Sequence, residues 1–260
     1  MKKRSRWLAL TLACCMTVGL LAGCGKKSNE ATGSDTSSNT NVSEEDKAGG
    51  TLTIALASIA NNIDPIKYTG VYEGQIIENI ADTLIVYDND VTNFEPSLAT
   101  EWEANEAGDE YTFKLRDDVY FQPGKYQDGR QMTAEDVKYS LERSHNESAL
   151  ARLTMLDHCE VIDDFTVKCV LQSPNASFLA ALTNSGNVIV PKEEVEGWGD
   201  EFGAHLVGTG PFMMADNGWQ TDQGVDLVKF DKFWGDKVYL DGVTPKNEKA
   251  YGSKANYLID

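Results

Sequence analysis

Apolar residues after residue 50 recur with two spacings, the two-residue alternation of strands and the three- to four-residue repeat of helices. Alternation over Thr51–Leu56 predicts a strand, and apolar residues four positions apart predict a helix over Tyr72–Leu84. Tyr111–Leu115 alternates as well, and Val119–Phe121 is expected to pair with it. The same pattern predicts further strands over Glu160–Ile162, Thr166–Leu171, Phe212–Ala215 and Val225–Phe230.

Two other helix starts are marked by residue type. Thr133 precedes Glu135 and Asp136, which suits an N-cap followed by acidic residues at the positive end of the helix dipole. Ser173 and Pro174 predict a second start, because proline is favoured at the first helical position. The body of the chain therefore alternates strands and helices.

The N-terminus has the layout of an export signal. Met1–Arg6 is basic, Trp7–Leu21 is apolar but short for a membrane span, and the run ends in Leu21-Ala22-Gly23-Cys24. This tetrapeptide resembles the bacterial lipobox, in which the cysteine is acylated and becomes the new N-terminus. We expect residues 1–23 to be a lipoprotein signal peptide and Cys24 to carry the membrane anchor. An uncleaved N-terminal anchor is the alternative.

The segment that follows, residues 24–49, is predicted to be a disordered tether without a binding function. Between Gly25 and Ala48 there is no aromatic residue and almost no apolar one. Such a segment cannot bury enough surface to offset the entropy lost on ordering it.

Composition and motifs narrow the classes of function. The 260 residues include 41 acidic and 23 basic ones, for a net charge of −18. So acidic a chain repels phosphate backbones, which argues against nucleic acid as a partner. The sequence lacks the G-x-S-x-G, H-E-x-x-H and Walker motifs, and its three histidines have no paired spacing. We therefore expect no catalytic residue, no cofactor and no metal site.

Six blocks of residues occur in an order typical of one family. They are Gly49–Leu52 with Asp64 and Pro65, Glu95–Trp102, Tyr111–Val119, Asp128–Arg143, Val207–Phe212, and Phe233–Val243. From Gly49 to about Val243 the chain resembles the extracytoplasmic solute-binding proteins of peptide ABC transporters, the dipeptide- and oligopeptide-binding proteins of family 5.

Most residues in these blocks have a structural interpretation. Trp102 and Phe113 are expected in the core, and Arg116 is expected to be a buried or capping ion-pair donor. Gly208 and Gly210 are expected to set a turn, because only glycine adopts a positive φ without penalty.

The resemblance implies an α/β fold of the periplasmic-binding-protein-like type II, a clam of two lobes built from three domains. A mixed-sheet first lobe would comprise residues 50–84 and 158–245, and a smaller α+β domain would be inserted at residues 85–157. The family's third domain, which forms the opposing lobe, should begin near residue 246. Residues 246–260 do not read as the expected strand and helix, so we expect the opposing lobe to be missing.

The resemblance also implies where ligand would bind. In the family, extended backbone after the Asp-Pro turn lines the cleft and pairs with the peptide main chain. The matching residues are Tyr68, Thr69, Gly70, Val71 and Tyr72. The two tyrosines could instead be ordinary packing residues. A second candidate is the polar loop that contains Asn184, Ser185 and Gly186.

The function implied is that of an extracytoplasmic, lipid-anchored and monomeric protein that delivers short peptides to the membrane permease of an ABC transporter. The same fold could serve another solute, such as nickel, haem or an oligosaccharide. A lipid-anchored secreted hydrolase is the alternative from a different class.

Two cysteines, Cys159 and Cys169, lie on the two arms of the hairpin predicted around residues 160–170. Outside the membrane a disulfide between them would persist. A three-residue hairpin loop would place them directly opposite each other, and a two-residue loop would offset them. The sequence leaves a disulfide and two buried free thiols both open.

Overall fold

The structure is a computed structural model that describes residues 48–58, 60–221 and 223–247. The predictions made for the signal peptide, for Cys24, for nearly all of the tether and for residues 248–260 lie outside the described residues.

Ten strands and four α-helices are described in this range. The strands are β1 (Thr51–Leu56), β2 (Ile85–Tyr87), β3 (Phe94–Pro96), β4 (Ala99–Ala104), β5 (Glu110–Leu115), β6 (Leu156–Asp163), β7 (Thr166–Leu171), β8 (Phe212–Gln220), β9 (Gly224–Lys229) and β10 (Gly242–Asn247). The helices are α1 (Val71–Ile80), α2 (Ala134–Glu147), α3 (Phe178–Leu182) and α4 (Lys192–Trp198). Short 3₁₀ turns cover Ser185–Asn187 and Gly199–Ala204.

The first sheet is mixed and has the strand order β1-β10-β9-β8. Its β1–β10 pair is parallel, and the other two pairs are antiparallel. Ile76, Ile77 and Ile80 of α1 are buried in one apolar cluster with Val225 and Leu227 of β9. The predicted strand at Thr51–Leu56 and the predicted mixed α/β fold are confirmed.

The second sheet is antiparallel and has the order β4-β5-β7-β6. Its core holds Phe113 of β5, Val167 of β7 and, from α2, Val137 and Leu141. Residues 158–171 are expected in the first lobe, but they lie in the second sheet. Strand β7 pairs with β5, and β6 pairs with β7. The sheet to which a hairpin belongs is set by long-range pairing, which the local pattern does not report.

Val119–Phe121 does not pair with β5, contrary to the prediction. Both edges of β5 are already occupied, by β4 on one side and β7 on the other. Tyr120 forms an isolated bridge with Gln131 instead, while Val119 and Phe121 are buried in the core.

The ends of two helices also differ from the predicted ones. Helix α1 ends at Ile80 rather than at Leu84, because the carbonyl oxygen of Ile80 accepts hydrogen bonds from Gln122 Nε2 and from the Gly210 N–H, both at 2.8 Å. Helix α3 begins at Phe178, after a turn in which Asn175 Oδ1 accepts the Ser177 N–H at 2.9 Å. The start at Thr133 is confirmed, since α2 begins at the next residue.

Gly208 and Gly210 serve close packing rather than an unusual backbone conformation. Neither has a positive φ, so that prediction is wrong. A Cβ on Gly210 would lie 2.7 Å from the carbonyl carbon of Ile80, and one on Gly208 would collide with Ala81. The buried side chain of Gln122 completes this junction, because it also donates to the carbonyl of Phe212 at 2.8 Å.

Candidate functional site

The two segments predicted to contact ligand lie side by side, although 116 residues separate them in sequence. The Tyr68 hydroxyl donates to Asn184 Oδ1 at 3.3 Å, and this oxygen also accepts the Gly186 N–H at 2.9 Å. Ser185 donates to Glu78 on α1 at 2.7 Å. Tertiary contacts thus join residues 68–72 and 184–186 into one surface.

The turn that leads into this surface is held by a buried carboxylate. Asp64 is fully buried, and its Oδ1 accepts the Ile66 N–H at 3.2 Å, which closes a side-chain turn. Its carbonyl oxygen accepts the N–H groups of Lys67 and Tyr68. Arg143 of α2 donates to both carboxylate oxygens, at 2.9 and 2.8 Å. The turn is therefore anchored to the helix of the second sheet.

Arg152 fixes the backbone at Tyr68. Its Nη2 donates to the Tyr68 carbonyl at 2.6 Å and its Nη1 donates to the Pro65 carbonyl at 3.3 Å. The guanidinium carbon also lies 4.1 Å from the centroid of the Tyr68 ring. A Cβ on Gly186 would collide with the Arg152 side chain, so the glycine of the polar loop leaves room for this arginine.

The segment from Thr69 to Val71 lies at the surface, where Thr69 and Val71 are exposed and Gly70 is half-buried. Gly70 is extended, with φ −102° and ψ 159°, and caps α1. The side chain of Val71 is 74% exposed. In the described part of the chain the N–H groups of Thr69 and Gly70 make no hydrogen bond, and those of Val71 to Glu73 have no acceptor in the first helical turn. Several main-chain donors are thus available at one place.

The two tyrosines of this segment are mostly packed. Tyr68 is 7% exposed and belongs to the apolar cluster of the first sheet, against which the half-buried Tyr72 packs. In the polar loop, Asn184 is exposed while Ser185 and Gly186 are buried. The exposed residues of the two segments are therefore Thr69, Val71 and Asn184 rather than the aromatic ones.

Sequence reasoning missed both arginines that hold this surface. It singled out Arg116, which forms an ion pair with Asp118 at 2.7 Å but keeps 29% of its side chain exposed. Arg143 is the buried ion-pair donor, and its position as the last residue of the Asp128–Arg143 block was the available signal. No local pattern marked Arg152.

A cavity of about 590 Å³ lies elsewhere, between β8 and the segment that contains Trp198 and His205. These two rings are stacked with their centroids 3.5 Å apart, and Lys125 Nζ is 4.2 Å from the Trp198 centroid. Burial lowers the pKa of His205. None of the eight predicted ligand residues lines this cavity.

Across 48–58, 60–221 and 223–247, no group of three or more His, Cys, Asp and Glu side chains is arranged to hold a metal ion. Over the same ranges no helix has both the length and the apolar character that a bilayer span requires.

The chain is similar in sequence to two known binding proteins. The chain is 29% identical over 185 residues to the glutathione-binding protein GsiB of Pectobacterium atrosepticum, covering 70% of this chain and 34% of that protein. It is 30% identical over 185 residues to heme-binding protein A of Haemophilus influenzae, covering 63% of this chain and 34% of the relative. The chain thus spans about a third of the length of these relatives.

A solved structure agrees with the fold. The periplasmic binding protein DppA of Helicobacter pylori, in complex with the peptide STSA, superposes with a TM-score of 0.71 at 31% identity, over 78% of this chain and 44% of that one. Residues 93–247 match the model of the bacterial extracellular solute-binding proteins, family 5, middle part. That match covers more than half of the sequence, and the chain belongs to this family of extracellular solute-binding proteins.

Proposed function

We propose that the protein binds short peptides outside the cytoplasm, is anchored at the membrane through a lipid on Cys24, and delivers its ligand to the permease of an ABC transporter without catalysing a reaction. We expect it to act as a monomer. The observation that supports peptide binding most directly is the contact between Tyr68 and Asn184, which joins the segment implied by the family resemblance to the polar loop that is the second candidate.

The chemistry of this surface suits a peptide main chain. A peptide presents carbonyl oxygens at regular intervals, and the N–H groups of Thr69, Gly70 and Val71 are donors without a partner in the described chain. An extended ligand could accept from them as an added strand does. The side-chain Nδ2 of the exposed Asn184 offers a further donor beside them, while its Oδ1 already accepts from Tyr68 and Gly186.

Binding by the chain of 260 residues should be weak. Each main-chain hydrogen bond nets only about 0.5–1.5 kcal/mol when water competes for the same groups. The losses of freedom on binding are of similar or greater size. We therefore expect dissociation constants in the millimolar range, and micromolar binding would contradict this expectation.

The test uses proline to remove one donor. Val71 is the first residue of α1, where proline fits the helix, and the extended Gly70 suits the residue before a proline. Val71→Pro should abolish one hydrogen bond to ligand and leave the fold intact. Val71→Ala is the matched control, because it removes a similar side chain but keeps the N–H.

The readout is heteronuclear NMR during titration with short peptides at millimolar concentration. We expect shift changes at residues 69–72 and at Asn184, weaker in Val71→Pro than in Val71→Ala. Equal titration of the two variants, or shift changes confined to other surfaces, would contradict the proposed site.

Haem is a second candidate ligand, because a relative with 30% identity is named a heme-binding protein. Absorbance titration with haem, followed by competition with peptide, separates the two. A saturable haem spectrum that peptide does not displace would favour haem. Nickel and oligosaccharides can be screened by the same competition with peptide. Release of products from peptide or glycan libraries would instead indicate a hydrolase.

For the domain organisation we propose that the inserted domain comprises residues 85–171. The pairing of β6 and β7 with β5 supports this later boundary. The first lobe would then comprise residues 50–84 and the part of the chain after residue 171.

A further inference from the structure

Cys159 and Cys169 face each other directly across two neighbouring strands. They are register partners in the β6–β7 pair, and their Sγ atoms lie 3.6 Å apart as unbonded thiols. Both side chains are fully buried within the core of the second sheet. No part of the proposed ligand surface includes either residue.

A β-bulge produces this register. The hairpin loop has two residues, Asp164 and Phe165, because Asp163 pairs with Thr166. If that register continued without a shift, Cys169 would face Glu160 rather than Cys159. The register shifts by one residue between Val161 and Asp163, and this bulge brings Cys159 opposite Cys169.

The two cysteines occupy a position of the ladder that suits a covalent link. The N–H of Cys159 donates to Glu142 Oε1 at 3.0 Å and so points away from β7. In an antiparallel pair this orientation marks a non-hydrogen-bonded position, where Cα atoms are about 4.5 Å apart and side chains are closest. That separation lies within the range of about 4.4–6.8 Å found in disulfides.

The location of the protein decides whether a disulfide or a pair of buried thiols is expected. The family is extracellular, and disulfides persist outside the cytoplasm, where no thiol pool reduces them. We propose that Cys159 and Cys169 form a cross-strand disulfide in the exported protein, which fastens the edge strand β6 to β7. The proposal is independent of which ligand the protein binds.

Formation of the bond requires an oxidant. We propose that the oxidant is a disulfide of another protein outside the cytoplasm. The thiolate of one cysteine attacks a sulfur of that disulfide and forms a mixed disulfide, and the second thiolate then displaces the oxidant. One intramolecular S–S bond forms and the S–S bond of the oxidant breaks. The two protons and two electrons of the thiols pass to the oxidant, which leaves as a dithiol. Since both thiols are fully buried in the native fold, the reaction belongs to the stage before β6 closes onto α2.

The position of Lys168 makes the bond easy to detect. Trypsin cleaves after Arg152, Lys168 and Lys192, which places Cys159 in peptide 153–168 and Cys169 in peptide 169–192. The full chain is exported from a bacterial host, its free thiols are alkylated under denaturing conditions, and it is digested without reductant. We expect the two peptides to be recovered as one linked species that separates into two on reduction.

The control is the Cys159→Ser variant, in which peptide 169–192 should carry one alkyl group and no linked species should form. Recovery of both wild-type peptides in alkylated form before reduction would overturn the proposal. A bond from either cysteine to Cys24 or to another chain would overturn it as well.

Discussion

Arg143 donates two hydrogen bonds to the carboxylate of Asp64, across 79 residues of sequence. The Asp64 side chain is fully buried and that of Arg143 is 7% exposed. The pair joins the turn before the proposed ligand surface to the helix of the second sheet. It also explains why two separate blocks of the family pattern contain these residue types, since each is needed by the other.

Removing one partner of this pair should be costly. Arg143→Ala removes both guanidinium donors from the buried carboxylate and leaves Lys67 Nζ, 3.9 Å from Asp64 Oδ2, as its cationic partner. We expect the free energy of unfolding to fall by up to about 3–5 kcal/mol. Urea denaturation measures the change. The matched control is Arg116→Ala, which breaks the exposed pair with Asp118 and should cost less than about 1 kcal/mol. Equal losses in the two variants would contradict the assignment of Arg143 as a buried anchor.

Arg152 is expected to order the ligand surface rather than the whole fold. Arg152→Ala removes the donors to the carbonyls of Pro65 and Tyr68, which should cost about 1–3 kcal/mol locally. Hydrogen exchange should become faster at Lys67, Tyr68, Gly186 and Asn187, whose N–H groups are hydrogen-bonded within this surface, and stay unchanged in β5 and β7. Arg152→Lys keeps the positive charge and a single ammonium group that can donate to one of the two carbonyls. It should therefore recover part of the protection against hydrogen exchange. Uniform loss of protection across the chain would point to a global effect instead.

Two aspartates should give stability opposite dependences on pH. Burial raises the pKa of Asp82 above 3.8, although hydrogen bonds from Thr209 and Trp234 work against this shift. The folded state therefore binds more protons than the unfolded state above pH 3.8. Stability is lost as the pH rises from there through the raised pKa. Asp82→Asn should remove this fall in unfolding experiments from pH 4 to 7.

The contrasting group is Asp88, whose pKa is lowered from 3.8 to about 2 by the backbone N–H of Thr92 and the side chain of Asn93. Its contribution to stability is present above pH 3.8 and is lost as the pH falls towards 2. Asp88→Asn should therefore lower stability by a constant amount above pH 4 and make the fall on the acid limb shallower, without changing the slope above pH 4. A change of slope on the same limb in both variants would contradict these two assignments.

Lipid attachment at Cys24 is tested by metabolic labelling with a fatty acid in a bacterial host. The parent chain should incorporate label and fractionate with membranes, because two or three acyl chains hold a protein firmly at a bilayer. Cys24→Ala should do neither. Cys159→Ala provides the control for loss of an unrelated cysteine, and labelling of Cys24→Ala at the parent level would contradict the lipobox interpretation.

The sequence by itself determined the features that depend on neighbouring residues. Alternation predicted β1, and the acidic residues after Thr133 predicted the start of α2, because strand and helix periodicity and capping act within a few positions. The ordered blocks were sufficient to identify the family. The position of the ligand segment 68–72 came from that resemblance and that of the loop 184–186 from its polar, glycine-containing sequence, and periodicity carried no sign that the two would meet.

Tertiary structure alone decided the features that depend on distant partners. The pairing of β7 with β5 places the β6–β7 hairpin in the second sheet rather than in the first lobe. Strands β4 and β7 occupy both edges of β5, so no edge is left for Val119–Phe121. A one-residue bulge set the register of Cys159 and Cys169. Arg143, and not Arg116, is the buried ion-pair donor, because it lies against the distant Asp64. Apart from the hairpin bulge, the deciding contacts link residues far apart in sequence, where local spacing carries no information about which surfaces pack together.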